Sequence, residues 1–114
     1  MREITEIILK GIITLLILKS LDEEPKHGYE LEKIIKEKLN YELPEGSIYV
    51  ILKNMTRKGL IVPRIEKNNK GIEVKKYFIT EKGKEFLKYH EEPLIAVKKV
   101  IDELIEYIQK RKEV

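Results

Sequence analysis

The sequence of 114 residues predicts a mainly α-helical fold that contains one small β-ribbon. The first observation is that apolar residues recur at spacings of three and four along most of the chain, the period of amphipathic helices. The second is that residues 60–66 and 73–80 are rich in β-branched and aromatic side chains, and they flank the turn sequence Lys-Asn-Asn-Lys-Gly. The two segments therefore predict paired strands, placed after three helices and before a further helical region.

The first helix is predicted over residues 3–20. Ile4, Ile8 and Ile12 recur at helical spacing, and further apolar residues make this helix apolar almost all round. A helix without a polar face must be covered on several sides. We expect its own domain to cover one side and a second copy of the chain to cover another, which assigns Ile8 and Ile12 to a dimer interface. Residues 22–26 follow as a polar turn.

The second helix is predicted to open at His27-Gly28-Tyr29, and residues 40–44 form the turn after it. The third helix starts at Glu45-Gly46-Ser47 and stops at Gly59, a residue type common at helix ends. Its inward face is predicted to comprise Ile48, Ile51, Leu52 and Met55. Its outward face is predicted to comprise Ser47, Val50, Asn54, Arg57 and Lys58, with Tyr49 at the margin.

The segments after the third helix carry clear boundary signals. Pro63 cannot donate a hydrogen bond to a neighbouring strand, so its strand should lie at an edge of the sheet. Thr80 is predicted to cap the next helix, and Pro93 either kinks that helix or begins a new one. The final segment carries an apolar seam with spacings of 3, 4, 3 and 4, formed by Leu94, Val97, Ile101, Leu104 and Ile108 and widened by residues such as Ile105.

This seam predicts dimerisation through the last helix. The alternative is that the helix packs on its own domain, but the apolar positions needed for that domain's core are complete by Leu87. We therefore add Leu94, Val97, Ile101, Leu104, Ile105 and Ile108 to the predicted dimer interface.

Positive charge is concentrated in one stretch of the chain. Residues 53–76 contain eight Lys or Arg residues against two Glu, a net charge of +6, whereas the whole protein carries +3. A localised basic patch is the electrostatic footprint of nucleic-acid binding. A solvated surface is the alternative explanation, because a composition rich in Lys and Glu is also typical of thermophile proteins.

A polar helix followed by a basic ribbon predicts a winged helix-turn-helix, in which the helix enters the major groove of double-stranded DNA and the ribbon, or wing, holds phosphates. We assign residues 1–87 to this DNA-binding domain and residues 88–114 to a C-terminal dimerisation helix within the same compact unit. The candidate DNA contacts are Gly46, Ser47, Tyr49, Lys53, Asn54, Arg57, Lys58, Lys67, Asn68, Asn69, Lys70 and Lys75. Ser47 and Asn54, two helical turns apart, are the candidates for reading bases. The alternative function is a winged-helix module that binds a protein partner without specific DNA binding.

Several motifs resemble the PadR family of winged-helix transcriptional regulators. They are His27-Gly28-Tyr29, Gly46-Ser47-Ile48-Tyr49, Gly59-Leu60-Ile61 and Tyr77-x-Ile79-Thr80-x-x-Gly83. We predict a homodimeric repressor that binds a palindromic operator. The resemblance further implies control by a small-molecule effector between the first and last helices, and a repressor that binds no ligand is the alternative. The chain departs from the family pattern at Val50, where many members carry Pro, and at Asn54-Met55-Thr56, where they tend to carry Leu-Glu. It also has no Trp that would stack on a planar effector.

The resemblance further implies that three aromatic residues lie near DNA. It places Tyr49 at the DNA surface, and His27 and Tyr29 where an imidazole or a phenol meets a phosphate. The alternatives are a half-buried ring under the wing for Tyr49, a local hydrogen bond at a helix start for His27, and a core ring for Tyr29. For Tyr29 we favour the core position.

Catalysis, metal binding and membrane insertion are not expected. The chain lacks Cys, its Ser residues lack a local base, and it contains no phosphate-binding loop of the nucleotide-dependent enzymes. No cofactor is predicted. The most apolar run, residues 12–18, lies between two lysines and is too short to cross a bilayer. We expect a cytoplasmic protein.

Overall fold

A computed structural model describes residues 2–112, with side chains described from Leu9 onward. Its five helices and three strands follow in this order: α1 (Arg2–Glu23), β1 (Lys26–His27), α2 (Gly28–Leu39), α3 (Ser47–Arg57), β2 (Ile61–Lys67), β3 (Glu73–Ile79), α4 (Glu81–Lys88) and α5 (Glu91–Lys112). The predicted fold class, mainly helical with a small β-wing, is confirmed.

The core lies where α1, α2 and α3 meet and where the sheet closes over them. It comprises Ile13, Ile17, Leu18, Leu21, Leu31, Ile35, Ile48, Ile51, Leu52, Met55, Leu60, Ile61 and Tyr77. The four inward residues predicted for α3 are all buried. This agreement follows from the helical period, since a partly buried helix must place its apolar stripe on the core.

The chain between α1 and α2 differs from the prediction. We expected α1 to end at residue 20 and a polar turn to follow, but the helix continues to Glu23 because Leu21 packs into the core with 2% exposure. Lys26 and His27 then form β1, which pairs antiparallel with Tyr77 and Lys76 of β3. Two residues are too short to show a strand pattern, so no periodicity in the sequence indicates this third strand.

The sheet has the order β1-β3-β2. β2 and β3 pair from Ile61 opposite Ile79 to Lys67 opposite Glu73, within one residue of the predicted strand ends. Pro63 lies in β2, an edge strand as predicted. At the tip, the Asn68 side-chain oxygen accepts hydrogen bonds from the backbone amides of Lys70 and Ile72, which closes the turn between the two wing strands.

The C-terminal region consists of two separate helices. Thr80 Oγ1 accepts a hydrogen bond from the Gly83 amide at 3.0 Å, so the predicted cap of α4 is confirmed. The chain leaves α4 after Lys88, and α5 starts at Glu91. Pro93 therefore lies in the first turn of a new helix rather than at a kink. No residue of α5 is buried by the rest of the described chain, and the molecule is elongated, with extents of 59 × 29 × 21 Å.

Candidate nucleic-acid interface

The outward face of α3 is formed by Val50, Lys53 and Arg57. Val50 is 61% exposed, and both basic side chains are exposed beside it. Gly46 precedes this helix with a φ of +81°, a left-handed conformation that side-chain-bearing residues rarely adopt. Since Gly46 has no side chain and nothing lies within 4 Å of where its Cβ would be, the start of α3 has room for the close approach of a phosphate.

Ser47 and Asn54 lie on the flank of α3 that faces α1, not on its outward face. The Ser47 hydroxyl oxygen is buried and has no hydrogen-bond partner within the described part of the chain. Asn54 is half-buried, its side-chain oxygen accepts a hydrogen bond from Arg57, and it lines a cleft together with Ile12 and Leu94. The predicted outward orientation of Ser47 is wrong: its hydroxyl is buried on the flank that faces α1 across a cleft, and the helical period alone does not show which flank faces another helix.

Tyr49 lies on the opposite flank, towards α2 and the wing. Its ring is 45% exposed, and it packs so closely on Gly28 that a Cβ at that position would lie 2.9 Å from the ring carbon Cε1. Burial raises the pKa of Tyr49, with a smaller contribution from the Glu32 carboxylate. Burial also raises the pKa of Tyr77, and the neighbouring Tyr49 makes a smaller contribution in the same direction. Gly28 is a positioning residue that sequence reasoning missed, although it stands in the His-Gly-Tyr motif.

Tyr29 is not a core residue, so the expectation we favoured is wrong. It is 58% exposed, because the first turn of α2 projects beyond the core. Its ring stacks on that of His27, with centroids 5.1 Å apart and an angle of 7° between the planes. The stacked pair places the phenol near the wing, where it lines the same groove as Tyr49.

His27 is held by bonds within the fold. Its Nδ1 lies 3.1 Å from the Lys75 carbonyl oxygen, and its Nε2 lies 3.2 Å from Glu66 Oε1. Its backbone amide donates to the Glu30 carboxylate at 2.8 Å. Both ring nitrogens are therefore engaged, and the imidazole is not directed at an external phosphate. Glu66 is a residue that the sequence did not single out, because only the sheet register brings it to His27.

An open groove of about 820 Å³ separates α3 from the wing. The tyrosines at positions 29 and 49 lie on its α2 side, and Lys53, Arg57 and Lys75 place three positive charges along it. An elongated anion such as a nucleic-acid backbone fits a groove with this charge and these rings.

The wing tip adds further positive charge. Lys67, Asn69 and Lys70 are exposed there, whereas the Asn68 oxygen is engaged in the turn itself. Lys58 is exposed at the end of α3, and its carbonyl oxygen accepts a hydrogen bond from the Lys82 ammonium at 2.7 Å. Of the basic residues predicted from the sequence, Lys53, Arg57 and Lys75 are brought together along the groove between α3 and the wing, whereas Lys58 lines the cleft on the α1 and α5 side of α3.

The residues predicted for the dimer interface form a separate surface. Along α5 they are exposed between 39% at Leu94 and 54% at Leu104, and Ile12 on α1 is 38% exposed. Ile8 lies outside the residues whose side chains are described. A cleft of about 540 Å³ between α1, α3, α4 and α5 adjoins this surface, and its lining includes Ile12, Leu94 and Ile101 of the surface together with Leu15 and Phe86. The seam is therefore apolar and uncovered in a single chain.

Two kinds of site are absent from the described residues. Among the side chains from Leu9 to residue 112, no group of three or more His, Asp or Glu residues is placed to hold a metal ion. No helix within the described part of the chain is both long and apolar enough to cross a membrane.

Comparison with known proteins gives consistent matches over most of the chain. Residues 17–89 match the model of the "Transcriptional regulator PadR-like family". A solved transcriptional regulator from Thermoplasma acidophilum is 44% identical, with a TM-score of 0.83, over 87% of this chain and 95% of its own. A PadR family transcription regulator from Clostridium difficile is 32% identical, with a TM-score of 0.69, over 82% of this chain and 97% of its own. Bacillus subtilis PadR, solved in complex with operator DNA, is 29% identical, with a TM-score of 0.61, over 68% of this chain and 45% of its own.

Proposed function

Because the chain belongs to the PadR-like family of transcriptional regulators, we propose that it binds a specific operator in double-stranded DNA and acts there as a repressor. The observation that carries this proposal is the groove between α3 and the wing, where Lys53, Arg57 and Lys75 lie beside two exposed tyrosines. The Bacillus subtilis PadR structure, a protein with operator DNA bound, supports the same use of the fold. Family membership also agrees with the prediction that the chain is not an enzyme.

In the proposed complex α3 enters the major groove, which is wide enough for one helix. Val50 is the apolar residue at the centre of the outward face, where it suits a thymine methyl group, and Lys53 and Arg57 suit guanine edges or phosphates. Asn54, on the flank of α3 beside α1, stays a candidate for an adenine contact. Tyr49 and the start of α2 lie against the backbone of the DNA, and Lys67 and Lys70 hold phosphates from the wing tip.

The proposed regulator is a homodimer formed through α5. Its uncovered apolar seam is the support for this assignment, since soluble monomers rarely expose such a continuous strip. A two-fold dimer presents two α3 helices to DNA, so the proposed operator is palindromic, with half-sites about one helical turn apart.

We extend the proposal to a small-molecule effector in the cleft between α1 and α5. The lining is apolar, with Ile12, Leu15, Phe86 and Leu94, and polar groups such as Asn54 and His90 lie at its border. Asn54 and Met55 of α3 line the cleft, so an occupant would contact α3, the proposed recognition helix, as well as the apolar seam of α5. Since the protein has no Trp, the occupant should be a compact apolar molecule rather than a large planar one.

The decisive experiment is footprinting on the DNA upstream of the gene that encodes this protein, followed by titration of the protected segment and of a scrambled duplex. We expect a symmetric footprint and an affinity at least about a thousandfold higher for the protected segment than for scrambled DNA. Equal affinity for both duplexes would contradict operator recognition. Binding that does not change with salt would favour a protein-interaction module instead, because phosphate contacts are always salt-dependent.

A further inference from the structure

The bonds that the His27 ring makes within the fold take no part in the proposed DNA contacts. His27 belongs to β1, Lys75 to β3 and Glu66 to β2, so one imidazole bonds to both strands of the wing across the face of the sheet. The histidine side chain is only 14% exposed, whereas that of Glu66 is 45% exposed. The arrangement therefore joins a nearly enclosed ring to a carboxylate at the rim of the wing.

The chemistry of the two acceptors defines the protonation state that this arrangement requires. The Lys75 carbonyl oxygen accepts hydrogen bonds and cannot donate one, and the same holds for the ionised Glu66 carboxylate. Both bonds are made only when both ring nitrogens carry hydrogen, which is the imidazolium form. A neutral ring has one N–H, so the lone pair of its other nitrogen would face an oxygen and one of the two bonds would be lost.

The charged groups around the ring are compatible with this cation. Glu66 from β2 lies at Nε2, and Glu30 from α2 accepts the backbone amide of the same residue. From β3, Lys76 is the cross-strand partner of His27. The neighbouring Lys26 ammonium is bonded instead to the Ser20 carbonyl oxygen at 3.0 Å, and the Tyr29 ring stacks on the imidazole. The two carboxylates thus offset the charge that the imidazolium adds beside Lys76.

We propose that His27, Glu66 and the Lys75 carbonyl form a proton-dependent clasp that sets the position of the wing for DNA binding. The clasp rests on the proposed function. It ties the wing to the start of α2, and Gly28 there packs against Tyr49 of α3. The protonated clasp therefore fixes the distance between the wing and α3, and loss of the proton removes one of the two bonds that the imidazole makes to the wing.

A matched pair of charge-neutralising variants tests the clasp in the full-length protein. Glu66→Gln and Glu73→Gln each remove one negative charge from an exposed position on the wing. Electrostatics alone would make both variants bind DNA more tightly, because each removes a repulsion from phosphates. The clasp predicts the opposite sign for Glu66→Gln at pH 6, a loss of about three- to fivefold in operator affinity, the size expected of a partly exposed ion pair.

The pH dependence supplies the second readout. The proton dependence predicts that the loss of affinity in the Glu66→Gln variant becomes smaller as the pH rises from 6 to 8, because a neutral imidazole cannot make both bonds. The His27→Gln variant has no imidazole to titrate, so in that background Glu66→Gln should change the operator affinity by the same factor at both pH values. Weakening by Glu66→Gln that is equal at pH 6 and pH 8 in the wild-type background would overturn the proton dependence, and tighter binding at pH 6 would overturn the clasp itself.

A measurement without DNA separates the clasp from the proposed function. In an NMR titration of the free protein, the amide signals of Glu66 and Lys75 should shift together in one protonation step. This step should persist in Glu73→Gln and vanish in His27→Gln. If the wild type binds no DNA, the proposed function fails while the titration still decides the clasp. If the step is missing from the wild type, the clasp is overturned whatever the operator affinity.

Discussion

At the scale of single residues, the position of a side chain around α3 determines what it offers to a partner. Val50 and Lys53 point away from the core, whereas Ser47 lies on the flank beside α1. The helical period in the sequence was sufficient to predict the buried face, because burial follows the apolar stripe. It could not distinguish the two flanks, because their exposure depends on which neighbouring helix or strand packs against each of them.

Ser47→Ala tests this orientation. Because the buried hydroxyl has no partner in the described chain, its removal should leave the free energy of unfolding unchanged or raise it by up to about 1 kcal/mol. Thermal denaturation measures this change. The ratio of operator to random-DNA affinity should stay the same, whereas Lys53→Ala should weaken binding to DNA while preserving stability. A lower ratio in Ser47→Ala would show that the hydroxyl reaches the DNA after all.

Gly83→Ala tests a close approach between α4 and the start of β2. A Cβ at this position would lie 2.2 Å from the Leu60 carbonyl oxygen and 2.8 Å from Ile79 Cγ1, so the helix must move away. We expect a loss of about 2–3 kcal/mol in the free energy of unfolding, as for other overpacked sites, measured by urea denaturation. The control Lys84→Ala changes an exposed neighbour in the same helix and should cost less than about 0.5 kcal/mol. Equal stability of the two variants would contradict this close approach.

At the scale of elements, the wing shows which structural features can be predicted from neighbouring residues in the sequence and which cannot. Pro63 predicted an edge strand and Thr80 predicted a helix cap, because each signal acts within a few residues of the chain. β1 and the bond between His27 and Glu66 were not predictable in this way. Both depend on the register of strands that are about 40 or more residues apart in sequence, which only the folded sheet determines.

The wing tip should bind phosphates through Lys67 and Lys70. Replacing both by Ala should weaken binding to operator and random DNA equally, because interactions with phosphates carry no sequence information. For each phosphate that is no longer neutralised, the slope of log K against log salt should become shallower by about 0.9. Fluorescence anisotropy at several salt concentrations measures this slope. As a control, Lys98→Ala with Lys99→Ala removes two charges from α5 and should leave the slope unchanged, and an unchanged slope in the wing variant would exclude the tip from the interface.

At the scale of the whole molecule, α5 is the element that a single chain leaves uncovered. Its 22 residues contain no buried side chain, and their apolar seam continues the surface that Ile12 begins on α1. The seam was predictable from its heptad spacing, whereas the size of the cleft beside it was not. That cleft depends on the angle at which the chain leaves α4 after Lys88, and no sequence pattern encodes this angle.

Replacing Ile101 and Leu104 with Lys should convert the proposed dimer into monomers. Two buried ammonium groups on each side of the interface would lack partners and repel each other, so association should be lost. Sedimentation velocity measures the change, and circular dichroism checks that the helices persist. Gln109→Lys places a charge elsewhere on the same helix and should stay dimeric. A double variant that remains a dimer of unchanged stability would show that the seam packs within one chain.

The uncovered seam of α5 also has a consequence for dosage. If two chains must meet before both half-sites are held, then at low levels the occupancy of the operator grows with the square of the amount of protein in the cell. Halving the amount of protein would then lower the occupancy of the operator about fourfold. Operator occupancy by the proposed dimer would therefore respond more steeply to synthesis and degradation than occupancy by a monomer would. In the proposed dimer, a helix with no side chain buried within its own chain would thus make the abundance of the protein part of its signal.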